Sequence, residues 1–223
     1  GRIDESLKPG YYDKEHCFYD VMVIGGGPAG LSAALTAADA GAKVLLVDEN
    51  TELGGSLNYT EFPLDGLTLT VQRQQLMDKV NAHAAIEVKT DAVCNGWFAD
   101  NWLAVITEQR LFKVRAKQVI MAMGSFEQAA VFRNNDLPGI MMSSAALRLI
   151  HLYAVRPGQK AVVLCGNWDG YSCALALTSA GVKVQALLDL RERPDAGHPF
   201  LEKVEALGIS VRFQYQVRQA VAS

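Results

Sequence analysis

The sequence predicts an α/β protein of doubly wound, open parallel sheets, with a three-stranded antiparallel meander in its first half. Three observations carry this. An apolar run, Tyr19 to Ile24, leads straight into Gly25-Gly26-Gly27-Pro28-Ala29-Gly30 and then an Ala- and Leu-rich stretch. A strand buried on both faces, a tight glycine turn and a helix of small residues lying close to a sheet account for that order. The same spacing returns later in the chain, where Gly30 and Gly41 match Gly170 and Gly181, and Lys43-Val44 matches Lys183-Val184. Between the two copies, short alternating segments separated by polar turns replace the buried-strand pattern.

In order, the chain reads as strand 19–24, helix 31–40 stopped by Gly41, and strand 43–47 ending in Asp48-Glu49. That β-α-β unit is about 30 residues long, the length a parallel crossover needs. A loop with Gly54-Gly55 precedes a helix over 67–83, with apolar Leu69, Leu76 and Val80. The meander follows as 92–98, 103–107 and 111–116, turning at Ala99-Asp100-Asn101 and Glu108-Gln109-Arg110. A separate buried strand, 117–122, then ends in Met123-Gly124-Ser125. Helix 143–154 has Ser143 or Ser144 as its N-cap. The second copy runs as strand 161–164, helix 171–180, strand 183–188 ending in Asp189, helix 200–207 and strand 209–213. Residues 1–18 read as a linker, 19–140 as a dinucleotide-binding domain with the meander, and 141–223 as a second Rossmann-like domain.

Half of the 223 residues are apolar and the net charge is −3, with acids and bases interspersed. No basic block could neutralise a phosphate backbone, so nucleic acid is not an expected partner. No apolar run approaches the ~18 residues of a membrane span. Cys17, Cys94, Cys165 and Cys173 include no Cys-x-x-Cys pair, which argues against a redox dithiol or a zinc knuckle and for reduced thiols in a cytoplasmic protein. His16, His83, His151 and His198 lie in separate segments without metal-ligand spacing, and Trp97, Trp102 and Trp168 read as packing residues. No catalytic nucleophile–base pair can be placed, and no metal site is expected. The polar, turn-rich opening and the uncapped end read as a piece of a longer protein.

The glycine hexamer has its confirming context on both sides, a strand before it and a helix after it, with an acid 18 residues past Gly30. Gly25 permits the turn, Gly27 lets a pyrophosphate approach the backbone, and Gly30 lets helix and strand pack closely. The helix N-terminus, with Pro28 and Ala29 in its first turn, offers unpaired N–H groups to phosphate. Asp48 ends the second strand, where a carboxylate accepts ribose hydroxyls and repels a 2′-phosphate; Glu49 adds to that repulsion. NAD or FAD is therefore favoured over NADP. Gly54-Gly55 fits either a backbone lying against the cofactor or an ordinary turn. In the second copy Cys165 and Asn167 stand where Gly25 and Gly27 stand, so that half reads as a nucleotide fold whose nucleotide has been lost or altered.

This order of parts resembles the two-dinucleotide-binding-domain flavoproteins, which include thioredoxin reductase and glutathione reductase. In that family the strand after the meander ends Ala/Thr-Thr-Gly; here it ends Ala122-Met123-Gly124, which adds Ala122 and Gly124 to the candidate cofactor contacts. A closer resemblance is to the α subunits of heterotetrameric sarcosine oxidases. It rests on Gly1-Arg2-Ile3-Asp4 with Pro9-Gly10-Tyr11-Tyr12-Asp13, on Phe126-Glu127-Gln128 through Ile140-Met141, and on the altered motif Val163 to Tyr171. It implies NAD held by Gly25, Gly27, Gly30 and Asp48, and a complex that demethylates sarcosine oxidatively to glycine with hydrogen peroxide as product. It also implies that amine oxidation happens on another subunit, and that a C-terminal folate-binding domain and a segment returning to complete the first domain lie outside this chain. On that reading the chain alone does not oxidise sarcosine. Two other readings stand: an FAD-binding subunit of an amine, opine or proline dehydrogenase complex, and a non-catalytic nucleotide-binding module that serves assembly.

Overall fold

In the computed structural model the described residues are 13–60, 69–195 and 197–221. The expected linker over 1–12, the first two residues of helix 67–83, and the motif Gly1 to Tyr12 lie outside them. The chain forms two compact units, one holding 13–56 and 71–124, the other 57–60 and 125–221. The boundary falls at Gly124/Ser125 instead of 140, so the irregular segment before Ser143 belongs with the second unit.

The first unit is built on β1 (Asp13–Ile24), α1 (Pro28–Asp39), β2 (Val44–Val47), α2 (Leu69–Ala82), β3 (Ile86–Lys89), β4 (Val93–Phe98), β5 (Trp102–Ile106) and β6 (Arg110–Met121). One six-stranded sheet runs β3-β2-β1-β6-β5-β4. Strands β1, β2, β3 and β6 are parallel, while β4, β5 and β6 pair antiparallel. Both faces of the parallel part are buried, as its near-continuous apolar strands require. Val23, Val44 and Leu46 pack with Leu31, Ala34 and Ala38 of α1 and Val80 of α2. Met22, Leu45 and Val47 turn the other way, against Leu103, Val105, Phe112 and Val114.

Three expectations are corrected here. The expected strands 111–116 and 117–122 are one. β6 is continuous over 12 residues, antiparallel to β5 along its first half and parallel to β1 along most of its length. β1 begins at Asp13, so 13–18 is strand and not linker. Its first half, Asp13 to Phe18, is mostly polar, and exposed except at half-buried Cys17, so no apolar pattern marks it as strand. β3 is a parallel neighbour of β2 that the sequence reading missed, because Ile86-Glu87-Val88-Lys89 alternates as a half-exposed strand does.

The second unit holds α3 (Ser143–His151), β7 (Lys160–Cys165), α4 (Asp169–Ser179), β8 (Lys183–Asp189), α5 (Pro199–Ala206) and β9 (Ser210–Phe213). Its separate three-stranded sheet, β7-β8-β9, is parallel throughout. Tyr171, Ala174 and Leu177 of α4 pack with Val163, Leu187, Leu201 and Val204 in its core.

The N-cap of α3 is Met142, not Ser143 or Ser144. The capping acceptor comes from sixteen residues upstream. Glu127 accepts from the Ser143 and Ser144 backbone N–H groups at 2.9 and 2.8 Å, and from the Ser143 hydroxyl at 2.7 Å. Burial raises the Glu127 carboxyl, but these hydrogen bonds together outweigh it and hold the group below its ordinary range. Glu127→Ala is expected to weaken α3 by about 1 kcal/mol, as loss of a cap does. Faster amide exchange confined to 143–151 is the readout, and unchanged exchange there would refute the capping role.

Candidate functional site

The glycine turn sits at the C-terminal ends of β1, β2 and β6, where open parallel sheets present their crevice. Each glycine has a different physical reason. Gly25 takes φ +103°, and an added Cβ would lie 2.3 Å from the Ala122 carbonyl oxygen. Its N–H donates to the Val47 carbonyl at 2.8 Å, which fixes the turn across two strands. At Gly30 a Cβ would stand 1.8 Å from the Gly25 carbonyl oxygen, so α1 reaches this closeness only through glycine. At Gly26 a Cβ would meet the end of the Leu53 side chain at 2.4 Å and Asp48 Oδ2 at 3.0 Å, so these side chains would have to shift.

Gly27 is the exception. Its φ is −73° and ψ −177°, extended backbone open to any residue. The nearest atom to an added Cβ is the Gly55 Cα at 3.9 Å, an ordinary contact. Nothing among the described residues requires glycine at 27. Gly27 is also the N-cap of α1, which has no side-chain cap, no acid in its first turn, and Pro28 among its first residues. The first-turn N–H groups of Ala29 and Gly30 precede any intrahelical partner.

Gly54 and Gly55 are brought against this turn. The Gly54 N–H donates to the Gly26 carbonyl at 2.8 Å. Gly55, at φ +53°, lies so close that its added Cβ would be 2.8 Å from the Gly27 Cα. The pair therefore forms a wall of the glycine crevice. Glu49 is exposed, and Gly124 has open space on its Cβ side, so neither is packed into the crevice. Ala122 lies beneath Gly25 and Gly30.

Asp48 is 7% exposed and already heavily engaged. Its Oδ2 accepts from the Gly26 N–H at 2.5 Å, and its Oδ1 accepts from the Asn50 backbone N–H and side-chain amide, both at 2.8 Å. Of about four acceptor positions on a carboxylate, one remains. The expectation that Asp48 takes both ribose hydroxyls thus narrows to a single further bond through Oδ2. Sequence reasoning missed Asn50, Gly26 and Leu53. The middle glycine of Gly25-Gly26-Gly27 was the signal available.

The second copy keeps the architecture and changes the chemistry. Gly170 packs α4 on β7 as Gly30 packs α1 on β1, with an added Cβ 2.2 Å from the Cys165 Cβ. Asp189 is fully buried; Oδ1 accepts from the Arg191 N–H and Nε at 2.9 and 3.0 Å, and Oδ2 from the Tyr171 hydroxyl and an Arg191 terminal nitrogen, both at 2.8 Å. His198 stacks on Trp168 with centroids 3.5 Å apart and planes 4° from parallel, and its Nδ1 caps α5 by accepting from the Phe200 N–H at 3.3 Å. All four cysteines are free thiols; burial pushes Cys165 and Cys173 up to about 12, so both stay protonated. Among the described residues no group of His, Cys, Asp and Glu could hold a metal ion, and no helix is long and apolar enough to cross a membrane.

A glycine turn over the strand ends of an open sheet, repeated in altered form, defines a two-unit Rossmann-like α/β protein. The chain belongs to the pyridine nucleotide-disulphide oxidoreductase family, whose description matches residues 19–223. It is similar to sarcosine oxidase subunit alpha of Corynebacterium sp. (strain P-1), 34% identical over 231 residues, covering 95% of this chain and 23% of the relative. The subunit alpha of Rhizobium meliloti (strain 1021) is 33% identical over 211 residues, covering 88% of this chain and 21% of the relative. The chain thus spans between a fifth and a quarter of these relatives. Among solved structures, L-proline dehydrogenase from P. horikoshii superposes with a TM-score of 0.70 at 25% identity, over 84% of this chain and 38% of that one.

Proposed function

We propose that this chain is the nucleotide-binding portion of a sarcosine oxidase alpha-type subunit, in an oxidoreductase complex that demethylates sarcosine oxidatively to glycine with formation of hydrogen peroxide. The observation that carries the nucleotide part is Gly27. A position that the fold does not require to be glycine, at the uncapped start of a helix, has a reason to stay bare if a phosphate must come close. Gly25, Gly30 and Ala122 shape the turn, and Gly54 and Gly55 wall it. The Ala29 and Gly30 N–H groups meet the pyrophosphate, and Asp48 Oδ2 takes one ribose hydroxyl. Glu49 and Asp48 together disfavour a 2′-phosphate, which leaves NAD or FAD, and the resemblance to sarcosine oxidase alpha subunits makes NAD the ligand proposed. A bound dinucleotide supplies either hydride-accepting chemistry or, in a solely structural role, a fixed anion that orders the turn. Partner subunits supply the amine-oxidising centre, and the complex is placed in the cytoplasm.

FAD is a second reading, favoured by the antiparallel β4–β6 arm on the first parallel sheet, the order of parts of the flavoprotein family it resembles. Ligand released by acid from the purified protein separates the two. A colourless nucleotide with the mass of NAD supports the first reading, a yellow one with the flavin band supports the second, and a protein that neither carries nor takes up either refutes both.

A further inference from the structure

The second unit keeps the strand-helix-strand order of a nucleotide fold, yet its strand-end acid, the space at its turn and the first N–H of α4 are already in use. The acid at the end of β8 has all four acceptor positions filled, by Tyr171 and by three Arg191 donors. The space at the start of the turn, bare in the first unit, holds the Cys165 side chain against α4. The Asp169 N–H, at the first turn of α4, donates to Asn167 Oδ1 at 3.1 Å, while Asn167 Nδ2 donates to Asp169 Oδ2 at 2.9 Å. α4 therefore begins with a carboxylate of its own, where α1 has no acid in its first turn. A phosphate arriving there would meet a fixed negative charge, and the Asp169 N–H is already bonded. The remaining aromatic surface is covered too. Trp168, at the N-cap of α4, has the Arg191 guanidinium 4.3 Å from its ring centroid and His198 stacked on it.

We infer that the second unit is sealed against dinucleotides by Cys165, Asn167, Trp168, Asp169, Tyr171 and Arg191, so that the chain seats one dinucleotide at most and soluble NADH or NADPH cannot deliver reducing equivalents to it through this unit. The count of one rests on the reading of the glycine crevice in the first unit; the closure of the second does not. The residues act as an internal substitute for the ligand. Arg191 and Tyr171 satisfy the strand-end acid, and Asp169 with Asn167 satisfies the helix start.

The test is nucleotide stoichiometry with hydrogen exchange, on the unaltered protein and on Gly27→Asp, each at millimolar NAD, NADH, NADPH and FAD. The expected result is no more than one nucleotide per chain. Protection should be confined to peptides over 24–31 and 48–55, and Gly27→Asp should bind none. A second equivalent, or protection of 165–172 and 189–193 in either protein, would overturn the inference. An unaltered protein that binds nothing, with exchange over 165–172 unchanged, leaves the closure standing and removes the first unit's nucleotide reading instead.

Discussion

Gly27→Asp is expected to abolish dinucleotide binding, at least 100-fold or about 2.7 kcal/mol, while leaving the fold intact. The two halves of that expectation have separate causes. Folding should not suffer, because residue 27 is in extended backbone and its Cβ would have ordinary clearance from Gly55. As the N-cap of α1, Asp should even add a side-chain acceptor that the helix now lacks. That same acceptor would occupy the first-turn N–H groups and place a negative charge where the pyrophosphate has to sit. Gly30→Ala is the control with the opposite signature. One methyl group at 30 would stand 1.8 Å from the Gly25 carbonyl oxygen, a backbone atom that cannot swing aside. Overpacking of side chains costs ~1–3 kcal/mol, and a collision with backbone should exceed that, so Gly30→Ala should unfold the first unit at moderate temperature. Melting curves and nucleotide titration on both variants check this. A Gly27→Asp protein that melts early, or that binds as before, would show that glycine 27 is kept for packing or for nothing.

Why the sequence foretold so much of this crevice follows from how its constraints act. Gly30 is fixed by the Gly25 carbonyl within one turn and Gly25 by its own positive φ, and local constraints leave local signatures. The same holds for the stop at Gly41 and for the match between the two copies, which the structure reproduces down to Gly170 taking the place of Gly30. Other features were set by residues far apart in the chain. Asp48 reads as a ribose acceptor from its place at a strand end, but its bond from the Gly26 N–H, 22 residues away, depends on how β1 and β2 pair. Glu127 looks like one acid in an irregular stretch, and only the path of 125–142 brings it to the start of α3. β1 was cut short because its first half is mostly polar and exposed, and β6 was divided at Lys117; their pairing over eleven registered positions from Asp13 is a long-range fact.

Asp189→Asn is expected to loosen the second unit by about 3 kcal/mol at neutral pH, and the loss should shrink on acidification. Asp189 is wholly buried, and its neighbours depend on its charge. Breaking a buried pair costs roughly 3–5 kcal/mol; the lower figure applies because the Arg191 side chain is 34% exposed and can recover some hydration. Asn offers one oxygen where the carboxylate offers two, so either the buried Tyr171 hydroxyl or Arg191 loses its acceptor. The direction with pH follows from the Asp189 carboxyl. Burial raises it, but the hydrogen bonds from Arg191 and Tyr171 together prevail, and the folded-state pKa lies below its ordinary value. Its contribution is therefore complete above the unfolded carboxyl's pKa of about 3.9 and disappears as pH falls through the lower folded value. Asn cannot titrate, so the gap between unaltered and substituted protein should be widest at neutral pH and narrow below about pH 4. Hydrogen exchange over α4, which reports on this unit alone, measures the gap at each pH. A gap that stays constant into acid would mean that Asp189 works through shape and neutral hydrogen bonding. The sealing of the second unit would then rest on packing around Tyr171 and Trp168 instead of on the buried carboxylate and its guanidinium.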